Sequence, residues 1–156
     1  MTIYLFALLI GVVSGLRTFT APAALSWAAQ LGWLHLKGSP LAFLGAAVTP
    51  YIFTALALAE LVFDQLPQAP SRKAPPGFIA RIASGAFCGT AIGLAAGGVW
   101  FIGLIAGGVG AVIGTLGGYE ARTRLVKAIG GRDWPIALLE DACAIGAAFL
   151  IVRSAS

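Results

Sequence analysis

The stretch GFIARIASGAFCGTAIGLAAGGVWFIGLIAGGVGAVIGTLGG, residues 77–118, decides how the rest of the chain is read. Its first half carries Gly85, Gly89, Gly93 and Gly97 at a strict spacing of four, and its second half carries Gly103 and Gly107, then Gly110, Gly114 and Gly118. On a helix this spacing gathers the glycines on one face, where a neighbouring backbone can approach closely. In water such a run is a poor helix, because each interior glycine costs about 1 kcal/mol relative to alanine. In lipid the backbone has no other hydrogen-bond partner and stays helical. The stretch therefore predicts two membrane helices, over 77–97 and 98–119, packed as a glycine zipper, with Gly97-Gly98 reversing the chain between them. A glycine-lined path for a solute is the other use this pattern allows.

Composition extends that reading to the whole chain. Of 156 residues, 59% are hydrophobic and only 10% charged, with a mean hydropathy of +0.93; soluble domains carry about a quarter charged residues. At roughly 20 apolar residues per span, there is room for four or five spans and no separate soluble domain. The expected architecture is an all-α, polytopic membrane helix bundle in a single domain, with spans near 3–33, 41–66, 77–97, 98–119 and 134–152. The formal charge of +4 sits in short loops between apolar runs, so it orients the chain and does not point to nucleic acid. With five spans, Arg72, Lys73, Arg81, Arg122, Arg124, Lys127 and Arg132 share a side with the N-terminus, and Lys37 and Arg153 lie opposite. The positive-inside rule then puts the N-terminus in the cytoplasm and the C-terminus outside.

The first span is the ambiguous one. Ile3 to Leu16 is apolar, and Arg17, Thr18, Thr20 and Pro22 follow. Either one long tilted helix carries Arg17 at mid-depth, or a short span ends near Arg17 and an interfacial or re-entrant piece continues to about Trp33. Pro22 favours a break or kink, since it removes a backbone donor and crowds the preceding turn. An A-x-A pattern at Ala21-Pro22-Ala23 resembles a leader cleavage site, but Met1 to Tyr4 lacks a basic side chain, so a first membrane helix is expected.

The candidate chemistry lies in a few charges. Glu60 and Asp64 stand one turn apart near the end of the second span, and Glu140 lies in the first turns of the last. A carboxylate inside the membrane is expensive unless it faces protein, pairs or takes up a proton. Arg17, Glu60, Asp64 and Glu140 are therefore the transport or proton-site candidates, with Arg17 as counter-charge; the same groups could simply pair and fix the bundle. Arg72, Lys73, Arg81, Arg122 and Arg124 are the candidates for an anionic solute or lipid headgroup, although attraction to an anionic leaflet explains them as well. One histidine, His35, and two cysteines, Cys88 and Cys143, within apolar runs suggest no metal site, no cofactor and no disulfide framework. No Walker loop, paired histidines or acidic metal cluster marks an enzyme, and Ser84 before Gly85 has no histidine in any span to activate it.

Two further patterns were weighed. Ile10 to Gly15 and Ile113 to Gly118 share I-G-x-x-x-G, each followed within two residues by a charge, Arg17 or Glu120. In a five-span layout that match would be an inverted repeat, which is a transporter architecture. Second, the segment Gly15-Leu16-Arg17-Thr18-Phe19-Thr20-Ala21-Pro22, the run from Ala59 to Pro67, the connector Pro70-Ser71-Arg72 with Pro75-Pro76 and Ala80-Arg81, and the glycine-rich third helix resemble the domain of unknown function 4126 family of small bacterial membrane proteins. The resemblance implies a bacterial inner-membrane location, no assigned activity, and Arg17, Glu60, Asp64, Arg72 and Arg81 as parts of a shared pattern. The expectation is a small transporter or channel-like protein for a polar or anionic solute, proton-coupled through Glu60 and Glu140 as the titrating groups and forming a homo-oligomer in contact with membrane lipid. The alternative is a non-transporting scaffold or lipid- and partner-binding protein.

Overall fold

A computed structural model describes residues 1–71 and 73–155; Arg72 lies outside them. Every regular element among the described residues is helical: α1 (Thr2–Leu16), α2 (Thr20–Gln30), α3 (Thr49–Phe63), α4 (Pro75–Ala95), α5 (Trp100–Ala128) and α6 (Trp134–Ser154), with a single 3-10 turn at Ala42–Gly45. Three of these, α4, α5 and α6, are long and apolar enough to cross a membrane, and α1 and α3 are shorter apolar helices. At 1.5 Å per residue, the 21 residues of α4 reach about 31 Å, the thickness of a hydrocarbon layer.

The helices begin and end where local chemistry dictates. Proline stands in the first turn of α3, α4 and α6, where its missing N–H breaks no hydrogen bond. At the end of α4, Gly97 takes φ +67° and the Gly98 N–H returns to the Gly93 carbonyl at 2.8 Å. That left-handed turn satisfies carbonyls the helix would leave open, and L side chains rarely adopt it. Gly97 thus belongs to the reversal and not to the packing face on which it was expected. Gly130 and Gly131 close α5 in the same manner, with the Gly131 N–H on the Val126 carbonyl at 2.8 Å.

α1, α4 and α5 pack against one another as a trio, and glycine sets how close the three come. A Cβ at Gly89 would overlap the carbonyl oxygen of Gly103, and one at Gly107 would overlap that of Gly85. An adjoining face of α5 meets α1: a Cβ at Gly110 would overlap the Leu8 carbonyl oxygen and one at Gly114 that of Val12. Gly110 and Gly114 therefore serve the first helix and not α4. Gly93 is looser, since a Cβ there would stand 3.5 Å from the Val99 carbonyl oxygen.

Directions follow from these contacts. α1 and α5 run parallel, since Leu8 and Val12 meet Gly110 and Gly114 in the same order. The I-G-x-x-x-G copies thus lie on parallel helices, contrary to the inverted repeat. α1 and α4 run antiparallel, with Ser14 beside Cys88 and Ser84, and the Tyr4 hydroxyl accepting from the Val99 N–H at 3.0 Å. α2 runs antiparallel to α3, with Thr18 beside Glu60 at one end and Trp27 donating to Thr54 at 3.0 Å further along. The expected first span, 3–33, is therefore a hairpin broken at Arg17–Phe19. This reversal corrects the predicted topology: the N-terminus lies beside the α4–α5 turn, at the end opposite the connector, and not on the connector's side. The expected second span shortens to α3, because residues 31–48 are spent on loop and 3-10 turn.

The central trio carries a direct expectation. Gly107→Val should lower the thermal midpoint in detergent by an overpacking cost of about 1–3 kcal/mol or more, because the clash is with backbone. Gly117→Ala, whose Cβ would meet nothing within 4 Å, should be neutral or slightly stabilising. Equal midpoints for the two variants, followed by circular dichroism, would show that close approach does not hold the trio together.

Candidate functional site

Ending a helix inside the bundle strands backbone N–H and C=O groups, and each must find a partner. α1 ends when Arg17 turns to an extended conformation, φ −142° and ψ 118°. α2 has no capping side chain of its own at Phe19. Glu60 of α3 does that work: one carboxylate oxygen accepts from the Thr18 N–H at 2.7 Å and the other from the Phe19 N–H at 3.0 Å. A carboxylate at a helix N-terminus also meets the positive end of the helix dipole. The Ser84 hydroxyl of α4 donates to the Thr18 carbonyl at 2.5 Å. The Thr115 hydroxyl of α5 lies between the carbonyls of Gly15, at 3.1 Å, and Ala111, at 2.8 Å.

Arg17 completes the junction. Its side chain is 1% exposed. Nη1 donates to Asp64 at the end of α3 and Nη2 to Asp141 of α6. Nε is buried with no hydrogen-bond partner among the described residues. The break thus collects one polar side chain from each of α3 to α6, in addition to Asp64 just after α3.

A second ionic group lies on the same end of the bundle. Arg122 donates through Nε and Nη2 to both carboxylate oxygens of Asp133, at 2.8 and 2.5 Å, and its Nη1 stands 3.6 Å from Glu140. Lys73 places its ammonium 4.1 Å from the centre of the Tyr119 ring. Arg124 pairs with Glu120 at 2.9 Å on the exposed extension of α5, a pair of small energetic consequence. Arg81 is buried on α4 and is engaged in contacts of its own.

Cavities flank these groups. One of about 410 Å³ lies at this end, lined by Asp64, Ser71, Tyr119, Arg122, Lys127 and Asp133 among others. An apolar one of about 380 Å³ adjoins the break, between Thr18, Phe19, Phe43, Phe53, Ser84 and Phe87. A third, of about 510 Å³, lies at the opposite end beside Gln30, His35 and Lys37.

The expected charges are thus partly regrouped. Arg17 and Asp64 meet as a pair, whereas Glu60 caps α2 and does not touch Arg17. Glu140 faces Arg122. Arg122 lines one cavity and Lys73 lies over the Tyr119 ring at its wall, while Arg124 is not among its lining residues and Arg72 lies outside the described residues. Asp141, Ser84 and Thr115 were missed as site residues. For Asp141 the available signal was its position one residue beyond Glu140, about 100° around the helix and so on a different face. Cys88 and Cys143 are both free thiols, and the described residues hold no group of three metal-ligating side chains.

A family model described as "Domain of unknown function (DUF4126)" matches residues 4–154. No curated protein and no solved structure matches the chain.

Breaking the Arg17 arrangement should be costly. Arg17→Met leaves the Asp64 and Asp141 carboxylates facing one another without a counter-charge, and a loss of about 3–5 kcal/mol is expected. Combining Arg17→Met with Asp64→Asn and Asp141→Asn should recover most of it. Thermal unfolding in detergent measures both, and a triple variant no more stable than Arg17→Met would mean that charge balance is not what holds the junction.

Proposed function

We propose, for a chain that belongs to the domain of unknown function 4126 family and takes no assigned activity from it, a small transporter or channel-like protein of the bacterial inner membrane. It moves a small polar or anionic solute and is not an enzyme. The observation that carries this reading is the series of cavities along α2 and α3: one at each end of the pair and an apolar one at its flank. Two barriers separate them. The Arg17–Asp64 contact and the Glu60 cap stand at one end of α2, and Phe43 and Phe87, with ring centres 6.2 Å apart, stand further along. Discontinuous helices with charged groups at the break are the arrangement that secondary transporters use for solute and coupling-ion sites.

In this mechanism the α2–α3 pair moves against the spine of α1, α4 and α5. The glycine faces act as a zipper that keeps the spine fixed. Arg17–Phe19 is the hinge. Asp64 couples the motion to protons because it lines the 410 Å³ cavity and touches Arg17. A proton on Asp64 removes one of the two charges that hold Arg17, and release of Asp64 frees the end of α3. Glu60 has a different task, since both of its oxygens are committed to the start of α2. Under the positive-inside rule the end holding Lys73, Arg122, Arg124, Lys127 and Arg132 faces the cytoplasm, so both termini face outward. A second copy covering the exposed apolar side of α3, where Tyr51, Ile52, Val62 and Phe63 stand out, is part of the proposal.

The test is proton flux into liposomes holding the purified full chain under an imposed potential. Unaltered protein should exceed empty liposomes. Asp64→Asn, with its thermal midpoint checked, should reduce the flux about tenfold or more, the rate equivalent of about 1.4 kcal/mol. Arg124→Gln, at the exposed pair, should leave it unchanged. Flux indistinguishable from empty liposomes, with and without solute gradients, would sink transport and leave the scaffold or lipid-binding reading.

A further inference from the structure

α2 ends in a loop that turns back over its last residues and encloses a cavity of about 510 Å³. The turn is built on Gly32, whose φ of +78° lets the chain reverse. The N–H groups of Trp33 and Leu34 then return to the Ala28 carbonyl at 2.8 and 3.2 Å, and that of Gly32 to the Ala29 carbonyl at 3.3 Å. Two of the carbonyls that would leave this end of α2 negative are thereby answered. Leu34 and Leu36 are buried and anchor the loop in the core. Gly45 brings the 3-10 turn against α2 from the other side, since a Cβ there would stand only 3.4 Å from the Ala29 carbonyl oxygen.

The cavity is lined by donors that the protein leaves unused. Gln30, His35 and Lys37 all line it, and among the described residues none of these side chains makes a hydrogen bond or an ion pair. The backbone N–H groups of His35 and Lys37 also have no protein acceptor there. Nothing acidic offsets the lysine. The six acidic residues of the chain lie at the break or beyond it: Glu60 at the start of α2, Asp64 and Asp141 on Arg17, Glu120 on Arg124, and Asp133 and Glu140 beside Arg122. The 11 residues of α2, about 16 Å of helix, stand between them and this cavity. On the orientation proposed above this end faces outward, where the positive-inside rule asks for no basic residue.

We propose that this cavity binds a small oxyanion, a carboxylate or a phosphate. Lys37 supplies the opposite charge, and Gln30, His35 and the two loop N–H groups supply hydrogen bonds. Charge-assisted contacts of this kind are the strong ones. A cation would meet the Lys37 ammonium with no carboxylate to hold it, and a neutral molecule would leave that ammonium unbalanced. The volume falls in the range of about 300–1,000 Å³ usual for small-molecule pockets. The site names the charge of the solute and the face by which it enters, and it rests on the transport reading only for the claim that the bound anion is then moved.

His35 reports occupancy, because it is the one histidine of the chain and lines the cavity. The experiment follows the single ring signal of the full chain labelled with carbon-13 histidine in detergent micelles, at constant pH and ionic strength. Sodium phosphate, sodium acetate and sodium chloride are titrated in turn, and phosphatidylglycerol separately. Phosphate and acetate should each move the signal along a saturating curve, and chloride should not. Lys37→Gln should raise the apparent dissociation constant about tenfold or more, as loss of a hydrogen bond to a charged group does. Ala46→Leu adds bulk at an exposed lining position without removing a charge, and it should weaken both oxyanions too. Thermal midpoints near that of the unaltered chain check that both variants fold. Saturation by phosphatidylglycerol and not by the soluble ions would keep the oxyanion site and assign it to a lipid headgroup. Chloride as effective as phosphate, or saturation unchanged in Lys37→Gln, would overturn the proposal. Saturable binding without flux in liposomes would leave the site and remove transport, and flux without saturable binding would do the reverse.

Discussion

A helix that stops inside a layer without water must have its open backbone groups answered by protein, and that constraint organises the polar side of this molecule. The break at Arg17–Phe19 strands N–H groups at the start of α2 and carbonyls at the end of α1. Glu60, Ser84 and Thr115 answer them from three different helices. Because each answering group comes from a separate element, the break cannot form until α3, α4 and α5 are in place. It is a tertiary structure feature more than a local one, which is why no capping residue of α2's own is needed.

The break is tolerable because α1 is held elsewhere. Gly110 and Gly114 let its backbone come into contact with α5, and Gly85 and Gly89 bring α4 onto an adjoining face of α5. Between apolar helices in lipid, close backbone packing replaces the hydrophobic drive that water would supply. The result is a closely packed spine of three helices whose charged side chains, among the described residues, gather at one end. α2 and α3 lie outside it, tied through Glu60, the Trp27–Thr54 hydrogen bond and the Trp27–Tyr51 ring contact, with centroids 5.2 Å apart. Pro50 is the one buried residue of α3. The chain therefore combines a closely packed spine of three helices with a pair joined by a few polar and aromatic contacts.

What could be read in advance followed from patterns that survive without knowledge of neighbours. Hydropathy and the four-residue glycine spacing identified helical segments, and Gly97-Gly98 and Gly130-Gly131 marked their ends. Arg17 and Asp64 stood out because charge is rare in such a chain. What was illegible depended on angles between helices. Glu140 and Asp141 are adjacent in sequence and equally acidic, yet one faces Arg122 and the other Arg17. Ser84 read as an isolated hydroxyl because its partner, the Thr18 carbonyl, exists as an acceptor only after α1 breaks. The topology misled for the same reason: residues 3–33 have the apolar content of one long span, and only the reversal at Arg17 turns them into two helices and moves the N-terminus to the other end.

The choice of arginine at position 17 then has a physical basis. Its two Nη atoms point in fixed, divergent directions, and here each meets a carboxylate from a different helix, Asp64 from the end of α3 and Asp141 from α6. A lysine offers a compact ammonium that cannot hold two acids in a planar fork. One positive charge between two negative ones is also unbalanced in isolation, so the junction favours a further positive charge, whether the dipole at the start of α2, Arg122 across the cavity, or a proton. Neutralising either acid leaves a balanced pair with the other. Of the two, Asp64 is 24% exposed and lines the cavity, while Asp141 is 9% exposed. Solvent access therefore distinguishes the two acids where charge balance does not. The contact between Arg17 and the end of α3 is the one that lies beside the cavity.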